Sequence, residues 1–241
     1  MNTQLAYLYV KKYLSWRNTK NDKCDPGLIV VLVLLQCKFG LNFNLPYKAF
    51  TIQESITKVY QNTNDEVLKH TGRQYLYGAY KKQINIENIF HKLNSINICK
   101  ENGYEIIHLI LTVIFLKDVK YVKYIENILI DLINVLKLSD LKTEALYILF
   151  SINPYSNEET WIEEITQNQQ DDGYLLCNDF GKYKDAQAHH TALGLILYLS
   201  YSKFRKTQLM MKYAGVIFVI IIYIYVYLSL KQYKAKLSNI Y

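Results

Sequence analysis

Paired helices constrain the fold of this chain more than any other sequence feature. Residues 161–199, WIEEITQNQQDDGYLLCNDFGKYKDAQAHHTALGLILYL, read as an amphipathic helix, a Gly-containing turn, a polar loop and a second, apolar helix. Weaker copies of this order occur at residues 7–37, 86–116 and 119–152. Their intervals are uneven, so the pattern predicts stacked helical hairpins without a fixed repeat length.

The scarcity of chain-breaking residues also favours a helical fold. The 241 residues include only three prolines and nine glycines, fewer than a turn-rich β-sandwich uses. Hydrophobic residues make up 51% of the chain and charged residues 20%, a balance that excludes global disorder. The sequence therefore predicts an all-α fold of packed helical hairpins. A partial α/α toroid is the more specific form of this prediction.

Individual segments are assigned by length and periodicity. Residues 28–35, LIVVLVLL, are too short to span a bilayer and begin too far from Met1 for a signal peptide. We interpret them as a buried helix, although their β-branched side chains leave a strand open. Residues 52–68 predict a helix interrupted near Asn62, and residues 70–80 predict a loop. Helical periodicity predicts further helices over residues 7–16, 86–98, 106–116, 119–136, 141–152 and 158–168.

The C-terminal part contains an uncharged run over residues 214–230, AGVIFVIIIYIYVYLSL. This length lies at the short end of the range that crosses a bilayer, about 17–25 residues. We predict a transmembrane helix here, with a buried core helix as the alternative. The predicted organisation is a helical domain over residues 1–205, a basic linker over 206–213, the membrane helix and a basic tail over 231–241. Basic residues flank the run at Lys203, Arg205, Lys206, Lys212, Lys231, Lys234 and Lys236.

Charge and cysteine content limit the partners. The net charge is +7, but the lysines are scattered and no Arg-rich run, zinc-finger spacing or aromatic RNA-binding motif is present. We therefore expect no nucleic-acid partner. The cysteines at positions 24, 37, 99 and 177 form no CxxC pair, which argues against a structural zinc site. Two disulfides in an oxidising compartment and four buried thiols are both open.

Two motifs within residues 161–199 resemble those of known helical proteins. QxxDGY at residues 169–174, followed by HHTAL at residues 189–193, resembles α/α-toroid proteins such as terpenoid cyclases and protein prenyltransferases. Over residues 85–200 the chain is more similar to an uncharacterised animal protein family named after a chromosome-16 open reading frame. We predict a structural role for the residues that carry these resemblances, which are Trp161, Gln169, Asp172, Gly173, Tyr174, His190 and Thr191.

The family resemblance implies a second possible location. Family members are thought to be secreted, so the resemblance implies a secreted or extracellular protein as the alternative to a membrane protein. Members normally begin with a secretion signal and end near the toroid helix, whereas this chain shows no clear signal and adds residues 214–230. Members also tend to have a cysteine after the turn glycine. Tyr174 takes that place here and Cys177 follows later, so a family disulfide is not transferred.

No residue set in the sequence matches a known catalytic pattern. Asp171 and Asp172 would suit cyclase chemistry, but they lack the companions of the DxDD and DDxxD motifs, so we interpret them as an exposed turn. His108 lies in an apolar run and is interpreted as a core histidine. A Ser-His-Asp set, a Gly-rich phosphate loop and an HExxH motif are all missing from the sequence. We therefore predict no catalytic residue and no cofactor.

The polar loop supplies the candidate residues for a metal. Cys177, Asp179 and His190 are the residue types that hold zinc in protein prenyltransferases. The loop between them is short, and the neighbouring His189 and His190 point to different sides of a helix. We therefore predict that no metal is bound, and that His190 caps or orients the second helix.

Two functional hypotheses follow. The first is a membrane-anchored or secreted helical protein, non-enzymatic, that contacts an unknown protein partner through the toroid cavity or its rim. The alternative is a degenerate α/α-toroid enzyme acting on an isoprenoid or another lipid-like substrate. A packed centre without carboxylates would argue against the enzyme. Zinc bound through Cys177 and His190 would argue against the non-enzymatic protein.

Overall fold

The computed structural model is built from α-helices. It describes residues 1–19, 25–63, 74–116, 121–155, 159–176 and 184–238. These residues form ten helices and no β-strand, so the predicted all-α fold is confirmed. The chain divides into two compact units, Met1–Leu199 and Ser200–Tyr241.

The helices follow one another with short connections. They are α1 (Thr3–Thr19), α2 (Pro26–Phe39), α3 (Ile52–Gln61), α4 (Gln74–Tyr80), α5 (Ile86–Ser95), α6 (Gly103–Leu116), α7 (Val122–Val135), α8 (Asp140–Ile152), α9 (Glu159–Gln167) and α10 (Lys184–Ser238). The predicted helices over residues 7–16, 106–116 and 141–152 are confirmed, because α1, α6 and α8 contain them.

Local signals explain where several helices begin and end. The Asp25 carboxylate accepts a hydrogen bond from the Leu28 amide, and Gly40 ends α2 in a left-handed conformation. Thr51 and Glu54 form a reciprocal capping box at the start of α3. The Ser139 hydroxyl accepts from the Lys142 amide and caps α8. The caps at the helix starts satisfy backbone amides that have no partner within their own helix, and the Gly40 amide donates to the Gln36 carbonyl at the end of α2.

The core lies between the apolar helices. Leu32, Leu109 and Leu146 are fully buried on α2, α6 and α8, respectively. The predicted helix pairs α5–α6 and α7–α8 pack directly, and α6 also packs against α8. The residue 28–35 segment is therefore a buried helix, as interpreted, and the strand alternative is wrong. The partial α/α toroid stays a prediction.

The predicted loop over residues 70–80 is wrong in its second half, where residues 74–80 form helix α4. Leu76 and Ala79 are buried, and α4 packs against α6. A Cβ atom at Gly78 would overlap the side chain of Ile84, so the glycine permits this close packing. Burial against a neighbouring helix therefore outweighs the low helix propensity of this segment.

The last helix is continuous from Lys184 to Ser238, so residues 206–213, the predicted linker, are helical. Its described side chains end at Tyr227. The part Lys184–Tyr227 contains a run long and apolar enough to cross a membrane, and none of the most apolar 18-residue stretch is buried. Ile220 is 51% exposed and Tyr223 72% exposed. Within the unit Ser200–Tyr241, the run is therefore not a buried core helix.

Candidate functional site at the centre of the helical domain

A cavity of about 60 Å³ lies between the apolar helices of the unit Met1–Leu199. Helices α2, α3, α4, α6, α8 and α10 all contribute to its wall. Most of the wall is aliphatic, including Val31, Leu34, Ile56, Leu111, Ile148 and Leu193. Its polar side chains are those of Tyr60, His108, Glu144 and Tyr147. The cavity therefore combines a mainly apolar wall with a few hydrogen-bonding groups, as ligand sites commonly do.

Helical spacing places the polar groups of α8 on the cavity side. Glu144, Tyr147 and Ile148 stand three and four positions apart, so they share one face of the helix. Within Asp140–Phe150 of α8, every residue except Glu144 is buried, and Glu144 is half-buried. The same spacing relates His108 to Leu111 on α6. The cavity wall is therefore the inner face of these helices.

The Tyr147 hydroxyl is the most unusual group in the cavity. The side chain is 4% exposed, and its oxygen has no hydrogen-bond partner among the described residues. Burial raises the pKa of Tyr147 to about 12, so the phenol stays neutral at physiological pH. A buried hydroxyl without a partner costs about 1–3 kcal/mol. Water or a ligand in the cavity would remove that cost.

A cluster of polar groups surrounds the beginning of α8. The Tyr104 hydroxyl donates to the two oxygens of the buried Asp140 carboxylate, at 2.9 and 2.8 Å. The Leu141 amide donates to the same carboxylate at 2.9 Å. Nδ1 of His189 lies 3.8 Å from Oδ2 of Asp140. A carboxylate in the first turn of a helix is also favoured by the helix dipole.

This cluster lies one helical turn before residues that line the cavity. Asp140 precedes Glu144 by four positions, and His189 precedes Leu193 by four positions. A Cβ atom at Gly27, which itself lines the cavity, would lie 3.7 Å from Nε2 of His189. The polar cluster therefore lies at the end of the cavity that is formed by the N-terminal parts of α2, α8 and α10.

His190 is buried and neutral, and it is held by α8. Its Nε2 lies 2.9 Å from Oγ1 of Thr143. The Thr143 hydroxyl donates to the Ser139 carbonyl at 3.0 Å, so Nε2 of His190 donates to Oγ1 of Thr143. Burial, with a smaller contribution from His189, lowers the pKa of His190 to about 3. This imidazole therefore connects α8 to α10.

The predicted metal candidates are only partly described. Cys177 and Asp179 lie outside the described residues, and Nε2 of His190 is engaged by Thr143. The described ranges contain no group of three or more His, Cys, Asp or Glu side chains that could hold a metal ion. Cys37 and Cys99 are free thiols, and Cys24 is outside the described ranges.

The QxxDGY turn lies against helix α1. The Gln169 side chain accepts from the Asn2 amide at 2.6 Å and donates to the Asn2 carbonyl at 2.9 Å. Gly173 has φ +94°, and a Cβ atom there would overlap the Leu5 carbonyl. The Tyr174 ring lies 5.3 Å from the Tyr9 ring. The turn therefore joins the first helix of the unit to its last hairpin.

Of the remaining predicted motif residues, Thr191 is hydrogen-bonded to Leu175, the residue that follows the turn. The Thr191 hydroxyl accepts from the Leu175 amide at 2.9 Å and donates to the Gln187 carbonyl at 2.6 Å. Trp161 is half-buried on α9, and Asp172 is exposed. The structure thus brings Gln169, Gly173, Tyr174 and Thr191 together and places His190 against α8.

A second depression, of about 560 Å³, lies at the rim of the domain between α1 and the turn. Aromatic rings line much of it, those of Tyr9, Tyr13, Trp16 and Tyr174. Lys184 lines it as well, and residues 177–183, just before Lys184, are outside the described part of the chain. The central cavity is the better defined of the two sites.

Sequence reasoning missed the residues that give the cavity its chemistry. Asp140, Glu144 and Tyr147 lie within or beside a segment read only as an amphipathic helix. A signal was present, because the four-residue spacing of Asp140 and Glu144 places two acids on one face of an apolar helix.

No protein-family model, curated protein or solved structure matches the chain.

Proposed function

We propose that this chain is a single-pass membrane protein whose helical unit, Met1–Leu199, is a non-enzymatic binding module. The exposed apolar run of α10 supports the membrane part. The large apolar side chains from Val216 to Tyr227 are 47–72% exposed, and they face water unless a bilayer or a partner covers them. A helix satisfies its own backbone hydrogen bonds, which a segment inside a bilayer requires.

The binding role rests on the central cavity. A domain selected only for a packed interior would fill this space, because protein interiors are close-packed. Instead, the half-buried Glu144 and the buried hydroxyl of Tyr147 line an open space. The partner or ligand would enter through the cavity end near Gly27 or contact the rim beside Tyr174.

Glu144 in the cavity wall and Asp140 in the polar cluster at the end of the cavity support a second candidate, the degenerate enzyme acting on an isoprenoid or lipid-like substrate. Asp140 and Glu144 supply acidic groups of the kind that such chemistry uses. Pockets for drug-sized ligands measure about 300–1,000 Å³, so an isoprenoid would require the cavity of about 60 Å³ to open. Turnover of an isoprenoid diphosphate that is lost in Asp140→Asn would favour this candidate over the non-enzymatic one.

Alkaline carbonate extraction tests the membrane part. Membranes from cells expressing the full chain are washed at high pH, and the pellet and supernatant are compared. We expect the full chain in the pellet and a chain ending at Lys212 in the supernatant, because the apolar run follows Lys212. Release of the full chain with the peripheral proteins would contradict the proposal.

A charge variant controls for aggregation, which also gives a pellet. Ile220→Arg with Ile224→Arg places two charges in the apolar run, at a cost of about 2.5–3.5 kcal/mol each for insertion. This variant is expected in the supernatant. The matched change Ile220→Val with Ile224→Val keeps the run apolar and should stay in the pellet.

A further inference from the structure

We propose that the segment preceding the apolar run of α10 binds the anionic headgroups of membrane lipids. The basic side chains of this segment, which we call the basic flank, are Lys203, Arg205, Lys206 and Lys212. All four are exposed and belong to the unit Ser200–Tyr241. The inference rests on the proposed membrane crossing and goes beyond it, because an apolar run enters the hydrocarbon of any bilayer and does not select a class of headgroup.

The net positive charge of the chain is concentrated in its last part. Asp185 is the last acidic residue of the sequence, and seven lysines and arginines follow it. The whole chain has 28 basic and 21 acidic residues, so residues 1–185 contain 21 of each and carry no net charge. The net charge of +7 therefore comes entirely from the two ends of the apolar run.

The lysines of the basic flank have no acidic side chain in their own unit. The unit Ser200–Tyr241 contains no aspartate and no glutamate. The Arg205 guanidinium lies 5.9 Å from the centre of the Tyr201 ring, which is a cation–π contact. Lys203, Lys206 and Lys212 extend into the surroundings as exposed ammonium groups. The negative charge that balances them within this unit therefore comes from solvent ions or from an anionic partner.

The position of the basic flank along α10 matches the headgroup layer of a bilayer. The run over residues 214–230 is about 26 Å long, which is shorter than a hydrocarbon core of about 30 Å. Residues 209–211 are apolar and exposed, and they supply the missing length. Lys212 is therefore drawn to the edge of the hydrocarbon, where its aliphatic stem stays in the apolar layer and its ammonium group reaches the lipid phosphates.

The three lysines approach the headgroups from different distances. Along the helix axis, Lys206 is about 9 Å from Lys212 and Lys203 is about 14 Å from it. The attraction of a lysine to an anionic surface falls off over the Debye length, which is about 8 Å at physiological salt. Lys212 should therefore contribute most to the binding of anionic lipid, and Lys203 least.

The apolar run favours a lipid over a nucleic acid as the anionic partner. A nucleic acid would neutralise the basic flank in water and leave the large apolar side chains of the same unit exposed. A bilayer with anionic lipids neutralises the flank and covers the run at the same time. One partner thus accounts for both the charge and the exposed apolar surface.

The test counts the lipids that the full chain retains. The full chain in detergent micelles receives equal amounts of phosphatidylserine and phosphatidylcholine with identical acyl chains, and native mass spectrometry counts the bound molecules of each. One lysine near an anionic surface strengthens binding about fivefold. We therefore expect a preference for phosphatidylserine of at least about fivefold. Equal retention of both lipids overturns this proposal and leaves the membrane crossing in place, whereas retention of neither contradicts both.

Variants show whether the basic flank causes the preference. The triple change Lys203→Gln, Lys206→Gln and Lys212→Gln should lower the preference for phosphatidylserine at least about fivefold. Among single changes, Lys212→Gln should lower it more than Lys203→Gln. An unchanged preference in the triple variant, or the reverse order of the single variants, overturns the proposal.

A matched variant controls for the loss of net charge. Lys48→Gln, Lys58→Gln and Lys123→Gln remove three charges from exposed positions of the unit Met1–Leu199. This variant should keep the preference of the original chain, because the lysines lie outside the basic flank. A loss equal to that of the triple flank variant would show that total charge causes the preference, and it overturns the proposal.

A nucleic-acid probe tests the competing partner. The full chain in detergent micelles is titrated into a fluorescently labelled single-stranded RNA of mixed sequence at about 0.15 M salt, and fluorescence anisotropy is followed. We expect RNA binding that is no weaker in the triple flank variant than in the original chain. RNA binding that the triple flank variant abolishes, together with equal retention of the two lipids, would assign the basic flank to nucleic acid and refute the lipid.

Discussion

At the residue scale, Gly173 shows how one position holds the turn against α1. Its backbone has φ +94°, in the region that favours glycine, and the Leu5 carbonyl occupies the place of a side chain. Gly40 offers a matched comparison, because it has φ +71° and no atom lies within 4 Å of the position that a Cβ would take. Alanine substitutions at the two glycines therefore separate the energetic cost of backbone strain from the cost of steric overlap.

Gly173→Ala should therefore destabilise the protein more than Gly40→Ala. We expect Gly40→Ala to lower the free energy of unfolding by about 1–2 kcal/mol through backbone strain alone. Gly173→Ala should cost at least about 1 kcal/mol more, because the overlap with Leu5 adds to the strain. Urea unfolding followed by tryptophan fluorescence measures both, since Trp16 and Trp161 lie in the helical unit. Equal losses would contradict the close contact.

Individual residues also differ in whether the sequence alone predicts their role in a site. The turn at Gly173 was predictable because Asp-Gly is a local signal with a known backbone geometry. Glu144 was not predicted, because its role depends on α2 and α6, which are far away in sequence and close the cavity around it. Tyr147 likewise becomes unusual only when its surroundings are known.

At the element scale, burial decides which segments are helical. The long apolar segments were predicted because their length and periodicity are visible in the sequence. Helix α4 was missed, because its tyrosines and Gly78 carry little helical signal of their own. Its helix forms where Leu76 and Ala79 are buried against α6.

The contact between α8 and α10 predicts a pH dependence of stability. His190 has a pKa of about 3 in the folded chain, against about 6.5 when it is exposed after unfolding. Between those values the unfolded state binds one more proton, so the free energy of unfolding falls as the pH is lowered from about 6.5 toward 3. The slope from this group is at most about 1.4 kcal/mol per pH unit.

Urea titrations between roughly pH 4 and pH 7, which cover most of the window over which His190 contributes, test this effect. His190→Asn removes the titrating imidazole, so its stability should fall less steeply with decreasing pH than that of the original chain. The control His91→Asn changes an exposed histidine and should keep the original slope. Parallel pH profiles for the original chain and His190→Asn would show that His190 is not held neutral.

At the scale of the whole molecule, a helical unit with a central cavity is joined to an exposed apolar helix. Both parts were predictable, since the hairpin pattern and the uncharged run are each continuous in sequence. The position of the cavity could not be predicted, because it depends on how six helices from different parts of the chain surround one space. The membrane crossing by α10 is the central claim.

A glycosylation scan tests this claim directly. The sequence contains no Asn-x-Ser/Thr acceptor, so any added acceptor reports its own location. Cys99→Ser creates one at the exposed Asn97, between α5 and α6, and a second chain carries an acceptor tail after Tyr241. A single crossing predicts that one of these two chains is glycosylated in cells and the other is not. Modification of both chains, or of neither, would contradict it.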